Sequence, residues 1–222
     1  AGDYTVFIEC VDNTSPVFGC SFESVVTVPS PDPWNISGDF DDDDYNGYQV
    51  SCNGANDGAI SDITVISGGN GGYTYAWTGP SGFFSTEMNP SSLIAGNYEL
   101  TVTDQYGCIS EPPIEFIASQ PALLDATFTT SDYSGFEISC NGGSDGAIDL
   151  NITGGVPPYT FDWSDGSSDQ NLSNASAGIY SVTISCANNC QLVLNNLVLN
   201  EPDVIEVTNS TEQAVLCFGF ED

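Results

Sequence analysis

One motif recurs along this chain of 222 residues and constrains its fold more than any other feature. The sequence SCNGANDGAI at 51–60 returns as SCNGGSDGAI at 139–148, and a third copy begins at 216–222. The cysteines that open these copies are 88 and 77 residues apart: Cys52, Cys140 and Cys217. Repetition of this kind indicates a series of similar structural units, each with its own core.

The rest of each unit repeats as well. An aromatic run stands at 73–77 and 159–163, an Ala-Gly-x-Tyr block stands at 1–4, 95–98 and 177–180, and each unit closes with a cysteine: Cys20, Cys108 and Cys190. We therefore divide the chain into the C-terminal part of a preceding repeat (1–31), two complete repeats (32–120 and 121–201) and the start of a following repeat (202–222).

Segments within each unit alternate between apolar and polar residues, as strands with one buried face do. Two such segments carry their apolar residues at alternate positions: Tyr98, Leu100 and Val102, and Tyr180, Val182 and Ile184. Trp77 and Trp163 each lie on the same strand face as two other aromatic rings of their own segment. This favours a buried position for each tryptophan over a role as a sugar-stacking platform. The sequence predicts an all-β fold of tandem immunoglobulin-like β-sandwich repeats, with roughly seven or eight strands each, joined by short Pro-containing linkers.

The charge balance excludes several functions. The chain has 31 Asp and Glu residues and no Lys, Arg or His. Nothing could neutralise a phosphate, so nucleic-acid binding is excluded, and a nucleophile would lack its usual base, so we expect no enzyme. No apolar run reaches the length of a membrane span. The like charges repel one another, which bound Ca²⁺ would relieve; a solvated acidic surface is the alternative.

Taken in order, these motifs resemble the SprB-type repeat. The shared elements, which cover 52–108 and 140–190, are Cys-Asn-Gly-x-x-Asp-Gly-x-Ile, Gly-Gly-x-x-Pro-Tyr-Thr-x-x-Trp, Ala-Gly-x-Tyr-x-x-x-Val and a closing Gly-Cys. The resemblance implies a large cell-surface adhesin of Bacteroidota, of the gliding-motility adhesin family, exported by the type IX route and without catalytic residues. The departures are Gly71-Gly72 in place of Pro157-Pro158, Asn189 before the closing cysteine, and Cys10 and Cys186 at the position of Asp104.

Eight cysteines in an acidic, Gly-rich chain favour disulfides over zinc. If the first and last strands of a sandwich run parallel, Cys52 and Cys108 lie at the same end, and we expect a Cys52–Cys108 bond. The same reasoning predicts a Cys140–Cys190 bond. Closing a loop of 57 residues would stabilise a unit by about 4 kcal/mol in the chain-entropy model.

Cys10 and Cys186 are left over by this pairing. One alternative is a local bridge in the last hairpin of each repeat, namely Cys186–Cys190 and Cys10–Cys20. Cys140 would then need a different partner. The other alternative is a cross-link between neighbouring repeats or chains. Sequence spacing does not decide between them.

Acidic and turn segments contain the candidate calcium ligands, which are Asp42, Asp44, Asn46, Asp57 and Asp145. The segment 42–47 has the first half of an EF-hand-like loop, but its twelfth position is Asn53 instead of Glu, so a true EF-hand is not expected. A solvated acidic loop is the alternative there. For Asp57 and Asp145, which precede a glycine, capping of a tight turn is the competing role.

The sequence therefore predicts a structural or adhesive segment of a long extracellular repeat protein. We expect a stiff filament or stalk on the cell surface, stabilised by disulfides and calcium, whose partners are the neighbouring repeats of the same chain. The alternative is a binding module whose variable loops recognise a surface glycan or protein. A third possibility is self-association of several chains into a fibre.

Overall fold

A computed structural model describes residues 2–9, 21–28, 30–41 and 45–206 of the chain. The chain divides into two compact units, Ala1–Pro121 (unit 1) and Ala122–Asp222 (unit 2). Fifteen strands and one short 3-10 turn make up the regular structure of the described residues, and all the strand pairs are antiparallel. No helix in this part of the chain has the length and apolar character needed to cross a membrane. The all-β prediction is confirmed.

Unit 1 contains a hairpin and a separate two-sheet sandwich. Its strands are β1 (Gly2–Glu9), β2 (Ser21–Val28), β3 (Asn35–Phe40), β4 (Gly58–Ser67), β5 (Thr74–Thr78), β6 (Phe84–Ser85), β7 (Ser91–Leu93), β8 (Gly96–Thr103) and β9 (Ile114–Ala118). The hairpin pairs β1 with β2. The sandwich has one sheet in the order β3-β4-β7 and a second in the order β6-β5-β8-β9.

The core of unit 1 lies between these two sheets. The alternating residues of β8 are fully buried, and Trp77 of β5 packs beside Phe116 of β9 with ring centroids 5.2 Å apart. Ile60 and Ile63 of β4 complete the core from the facing sheet. At Gly38 of β3 a side chain would collide with Ile63, so this glycine allows the strand to lie against the core.

Unit 2 has the same arrangement with one strand fewer. Its strands are β10 (Asp125–Thr130), β11 (Gly146–Thr153), β12 (Thr160–Trp163), β13 (Leu172–Ala175), β14 (Gly178–Ser185) and β15 (Gln191–Leu199). They form sheets in the orders β10-β11-β13 and β12-β14-β15. The strand β6 has no counterpart, because a tight turn at 163–167 follows Trp163 directly, with the Gly166 N–H donating to the Trp163 carbonyl at 2.9 Å.

Aromatic side chains bind the backbone at equivalent places in both units. The Tyr98 hydroxyl donates to the carbonyl of Ile94 (2.8 Å), and the Tyr180 hydroxyl donates to that of Ser176 (2.9 Å). A tyrosine bonded to backbone a few residues upstream is typical of immunoglobulin-like sandwiches. The two indole N–H groups also bind backbone carbonyls. Trp77 and Trp163 are 0 % and 2 % exposed, so they are core residues and neither is available to stack on a sugar.

Candidate functional site at the two ends of each unit

The chain enters the sandwich of unit 1 at one end and leaves it at the other. It enters beside the β4–β5 turn, where the Ser67 hydroxyl donates to the carbonyl of Pro33 at 3.1 Å. It leaves beside the long β3–β4 loop, where the Gly54 N–H donates to the Gln120 side chain at 2.7 Å. We call these the upstream end and the downstream end. The eight residues of β8 separate them by roughly 25 Å.

Unit 2 has the same two ends. At its upstream end the Gly155 N–H donates to the Ala122 carbonyl at 2.9 Å. At its downstream end the Gly142 N–H donates to a Glu201 carboxylate oxygen at 2.7 Å, and the Asn141 side chain donates to the Pro202 carbonyl at 3.1 Å. In both units the residues after the opening cysteine therefore hold the segment through which the chain leaves.

Asp57 and Asp145 cap the loop at the downstream end of their units. The Ser51 N–H donates to Asp57 Oδ1, and the Ser139 N–H donates to Asp145 Oδ1, both at 3.1 Å. Hydrogen bonds from the Ser139 side chain and backbone lower the pKa of Asp145. This is the arrangement expected of an aspartate that caps a tight turn.

The other candidate calcium ligands lie at the same end of unit 1. Asp42 and Asp44 fall outside the described residues, whereas Asn46 is described and adopts a left-handed backbone conformation with φ of 58°. Within the described ranges, no three Asp, Glu, Cys or His side chains are grouped closely enough to hold a metal ion. Calcium binding at these residues stays a prediction.

Asp104 organises the upstream end of unit 1. Its carboxylate accepts hydrogen bonds from the N–H groups of Tyr106 and Cys108 (both 2.9 Å) and from the backbone and side chain of Asn70 (3.0 and 3.2 Å). Burial acts to raise the pKa of Asp104, but these hydrogen bonds outweigh it, and the pKa is lowered. No role was predicted for Asp104 from the sequence, although an Asp at the start of Asp-x-x-Gly is a signature of a turn.

In unit 2 a cysteine and a valine replace this polar pair. Cys186 stands at the position of Asp104, is buried, and retains the same turn, because its N–H donates to the Cys190 carbonyl at 2.9 Å. Val156 stands at the position of Asn70 and has no side-chain donor. The carboxylate and its amide donor are thus exchanged together for two apolar groups.

The cysteines do not pair as the sequence predicted. Cys52 and Cys190 are disulfide-bonded, whereas Cys108, Cys140 and Cys186 are free thiols. The expected bonds Cys52–Cys108 and Cys140–Cys190 are therefore wrong, and so is the local alternative Cys186–Cys190. Cys10 and Cys20 lie outside the described residues, so their bridge stays a prediction.

The topology explains this correction. The prediction assumed that Cys52 opens the first strand of its sandwich, but the first strand is β3, which ends before Cys52. Cys52 therefore lies in the loop at the downstream end, and Cys108 lies in the β8–β9 loop at the upstream end. In unit 2, Cys140 and Cys190 are separated in the same way.

No curated protein matches the chain. The family model of the SprB repeat matches residues 48–82 and 137–168. Each matched segment runs from the downstream loop with its opening cysteine through the next two strands of the sandwich. The SprB repeat is a structural repeat of surface adhesin-type proteins. Each unit therefore contains a segment similar to the SprB repeat, as the order of the motifs predicted.

Proposed function

We propose that this chain is a segment of a long extracellular repeat protein that forms a stiff, adhesive filament or stalk on the cell surface. The observation that carries the proposal is the path of the backbone through each unit. The chain enters at the upstream end and leaves at the downstream end, so each added repeat adds length instead of thickness.

Hydrogen bonds next to the linkers support the stiffness. The Asn53 side chain donates to the Pro121 carbonyl at 3.2 Å, and the Asn141 side chain donates to that of Pro202 at 3.1 Å. Proline restricts the backbone at the same point. Repulsion among the 31 carboxylates also favours an extended chain. Disulfides and calcium bound at 42–46 belong to this proposal as further constraints.

The hairpin of β1 and β2 fits the proposal of a preceding repeat that ends near residue 31. Its Tyr4, Val6 and Ile8 are 58, 45 and 55 % exposed. They correspond in sequence to the buried Tyr98, Leu100 and Val102 of β8. We propose that the remainder of the preceding repeat covers these side chains in the parent protein.

The test is to measure particle length against the number of repeats. Chains with one, two and three added copies of 122–202 would be examined by small-angle scattering and electron microscopy. The maximum dimension should rise in proportion to repeat number while the cross-section stays constant. A matched series with Asn53→Ala and Asn141→Ala should bend more at the linkers. Compact particles whose cross-section grows with repeat number would overturn the proposal.

A second candidate function is a glycan- or protein-binding module. The segment between β5 and β7, which unit 2 lacks in this form, favours it, because Phe84 and Met88 are 66 % and 42 % exposed there. The exposed ring of Phe84 offers a partner both apolar area and an aromatic face on a segment specific to unit 1. Glycan arrays and pull-down from host or substratum surfaces should compare the native chain with Phe84→Ser. Equal binding by both chains, or none by either, would count against this candidate.

A further inference from the structure

The two cysteine positions of a repeat lie beside the two points where the chain enters and leaves. The closing cysteine lies at the upstream end. The Cys190 carbonyl accepts a hydrogen bond from the Cys186 N–H, and the N–H of the next residue, Ala187, donates to the Val156 carbonyl at 2.8 Å. The opening cysteine lies at the downstream end: Cys140 immediately precedes Asn141, which binds the departing segment. Unit 1 repeats this arrangement with Cys108 and Cys52.

The bonding states show that the disulfides leave the sandwich in which they begin. Cys52 is bonded, yet Cys108, the other cysteine of the β3–β9 sandwich, is free. Cys190 is bonded, yet Cys140 and Cys186, the other cysteines of the β10–β15 sandwich, are free. Among the described cysteines, each position type, opening and closing, is therefore bonded in one unit and free in the other, and neither Cys52 nor Cys190 is paired within its own sandwich.

We propose that Cys140, the opening cysteine of unit 2, forms a disulfide with the closing cysteine of a repeat of the same fold that follows unit 2 in the parent protein. The departing segment is held beside the opening cysteine, and a following repeat of the same fold receives that segment beside its closing cysteine. Both thiols therefore flank one short connection, whereas the two cysteines of a single repeat lie at opposite ends. This inference rests on the proposed tandem filament and gives its repeats a covalent joint.

Cys140 is a free thiol at the downstream end of unit 2, where a following repeat would join. It is exposed and lines a groove of about 500 Å³ with residues of the departing segment, including Pro202, Val204 and Ile205. Val204 and Ile205 are 60 and 93 % exposed, so the groove offers apolar surface to the upstream end of another repeat. Cys108, exposed at the upstream end of unit 1, is the corresponding thiol for a preceding repeat.

Bond formation is a two-electron oxidation. The two cysteine thiols lose two protons and two electrons and gain one S–S bond. A small-molecule disulfide such as oxidised glutathione takes up these protons and electrons and leaves as two thiols. The oxidant in the parent's compartment would be an oxidoreductase in its disulfide form, which takes up the two protons and two electrons and becomes a dithiol.

The test uses the chain lengthened by one repeat, with residues 1–202 followed by a second copy of 122–222. This junction preserves the Pro-Ala step that joins unit 1 to unit 2. In the appended copy Cys140→Ser leaves one Cys140 in the chain. After equilibration with reduced and oxidised glutathione, free thiols would be alkylated. The chain has no Lys or Arg, so an Asp- and Glu-specific protease would prepare peptides for mass spectrometry.

We expect most of the alkylation of Cys140 seen in the 222-residue chain to be lost, and its peptide to appear linked to the peptide that carries Cys186 and Cys190. The matched control carries Cys190→Ser in the appended copy and should restore alkylation. A second control with Cys186→Ser there should remain protected, and circular dichroism would confirm that all chains fold. Persistent alkylation of Cys140, or linkage to the appended Cys186, would overturn the proposed pairing of Cys140. The length measurement above is independent of this thiol measurement, so the two proposals can fail separately.

Discussion

Asp104 and Cys108 are joined by two hydrogen bonds that run in opposite directions. The Cys108 N–H donates to the Asp104 carboxylate, and the Asp104 N–H donates to the Cys108 carbonyl, both at 2.9 Å. In unit 2 the Cys186 N–H likewise donates to the Cys190 carbonyl. The bond to a carboxylate has no equivalent there, because Cys186 replaces Asp104. One backbone turn is thus stabilised by a carboxylate in unit 1 and by burial of a thiol in unit 2.

Asp104→Cys in unit 1 should lower the melting temperature by several degrees, because the donors of Asn70 lose their acceptor. Adding Asn70→Val should recover most of that loss, since the double change reproduces the Cys186 and Val156 pair of unit 2. Thermal melts of both single variants and the double variant, under reducing conditions, measure the coupling. Strictly additive losses would show that the two positions are independent.

Asp104 should also make folding sensitive to acid. Its pKa is lowered in the folded state, so its contribution is fully present above the unfolded value of about 3.9 and is lost as the pH falls through the folded pKa. Urea titrations between pH 2 and 6 should show a steeper acid loss in the native chain than in Asp104→Asn. Comparing the two chains removes the general relief of charge repulsion, which both share. Parallel pH profiles would contradict this assignment.

Alternating patterns were enough to predict the β-sandwich and its buried residues. Tyr98, Leu100 and Val102 are buried as their spacing indicated, and Trp77 lies in the core. The first strand was missed because Asn35–Phe40 contains Gly38 and few apolar residues, and its identity depends on contact with Ile63. Local sequence does not encode such a contact between distant residues.

The same missed strand explains the wrong disulfides. Cys52 seemed to open the sandwich, whereas β3 had already crossed from the upstream to the downstream end. The role of Asp104 was also beyond sequence reasoning, because its partner Asn70 lies 34 residues away. Turn propensity could indicate a bend at Asp104 but not a bond across the end of the unit.

Trp77→Ala should destabilise unit 1 by about 3–5 kcal/mol, because it removes a fully buried ring and leaves a cavity. Tyr106→Ala is the control, since Tyr106 is 74 % exposed and should change stability by no more than about 0.5 kcal/mol. Denaturant titration followed by circular dichroism measures both. Similar losses for the two variants would be inconsistent with the core described for unit 1.

Gly154→Ala should be much more damaging than Gly142→Ala. Both glycines have positive φ, 67° and 75°, but a Cβ at Gly154 would collide with the Leu123 carbonyl, whereas that at Gly142 meets nothing. We expect a cost of about 1–2 kcal/mol from backbone strain at Gly142 and more than about 4 kcal/mol at Gly154. Equilibrium unfolding of the two variants gives the comparison, and equal costs would argue against the close packing at Gly154.

Calcium should raise the melting temperature of the native chain, and a chelator should reverse the rise. Asp42→Asn with Asp44→Asn should remove most of the effect, because these carboxylates are the proposed ligands. As a control, Asp62→Asn changes an exposed acid on β4 in the same way. This variant should keep the rise in melting temperature that calcium produces. Calorimetric titration with CaCl₂ would provide the affinity. Loss of the effect in the Asp62 variant as well would indicate general charge screening.

The path from upstream to downstream end has a mechanical consequence. In the sandwich of unit 1 the first strand, β3, and the last strand, β9, run in the same direction. Tension on the chain therefore pulls the start of β3 against the end of β9. The interstrand hydrogen bonds of both sheets lie across that pull. Rupture then requires many bonds to yield at once, and a repeat built this way resists being unravelled from either terminus.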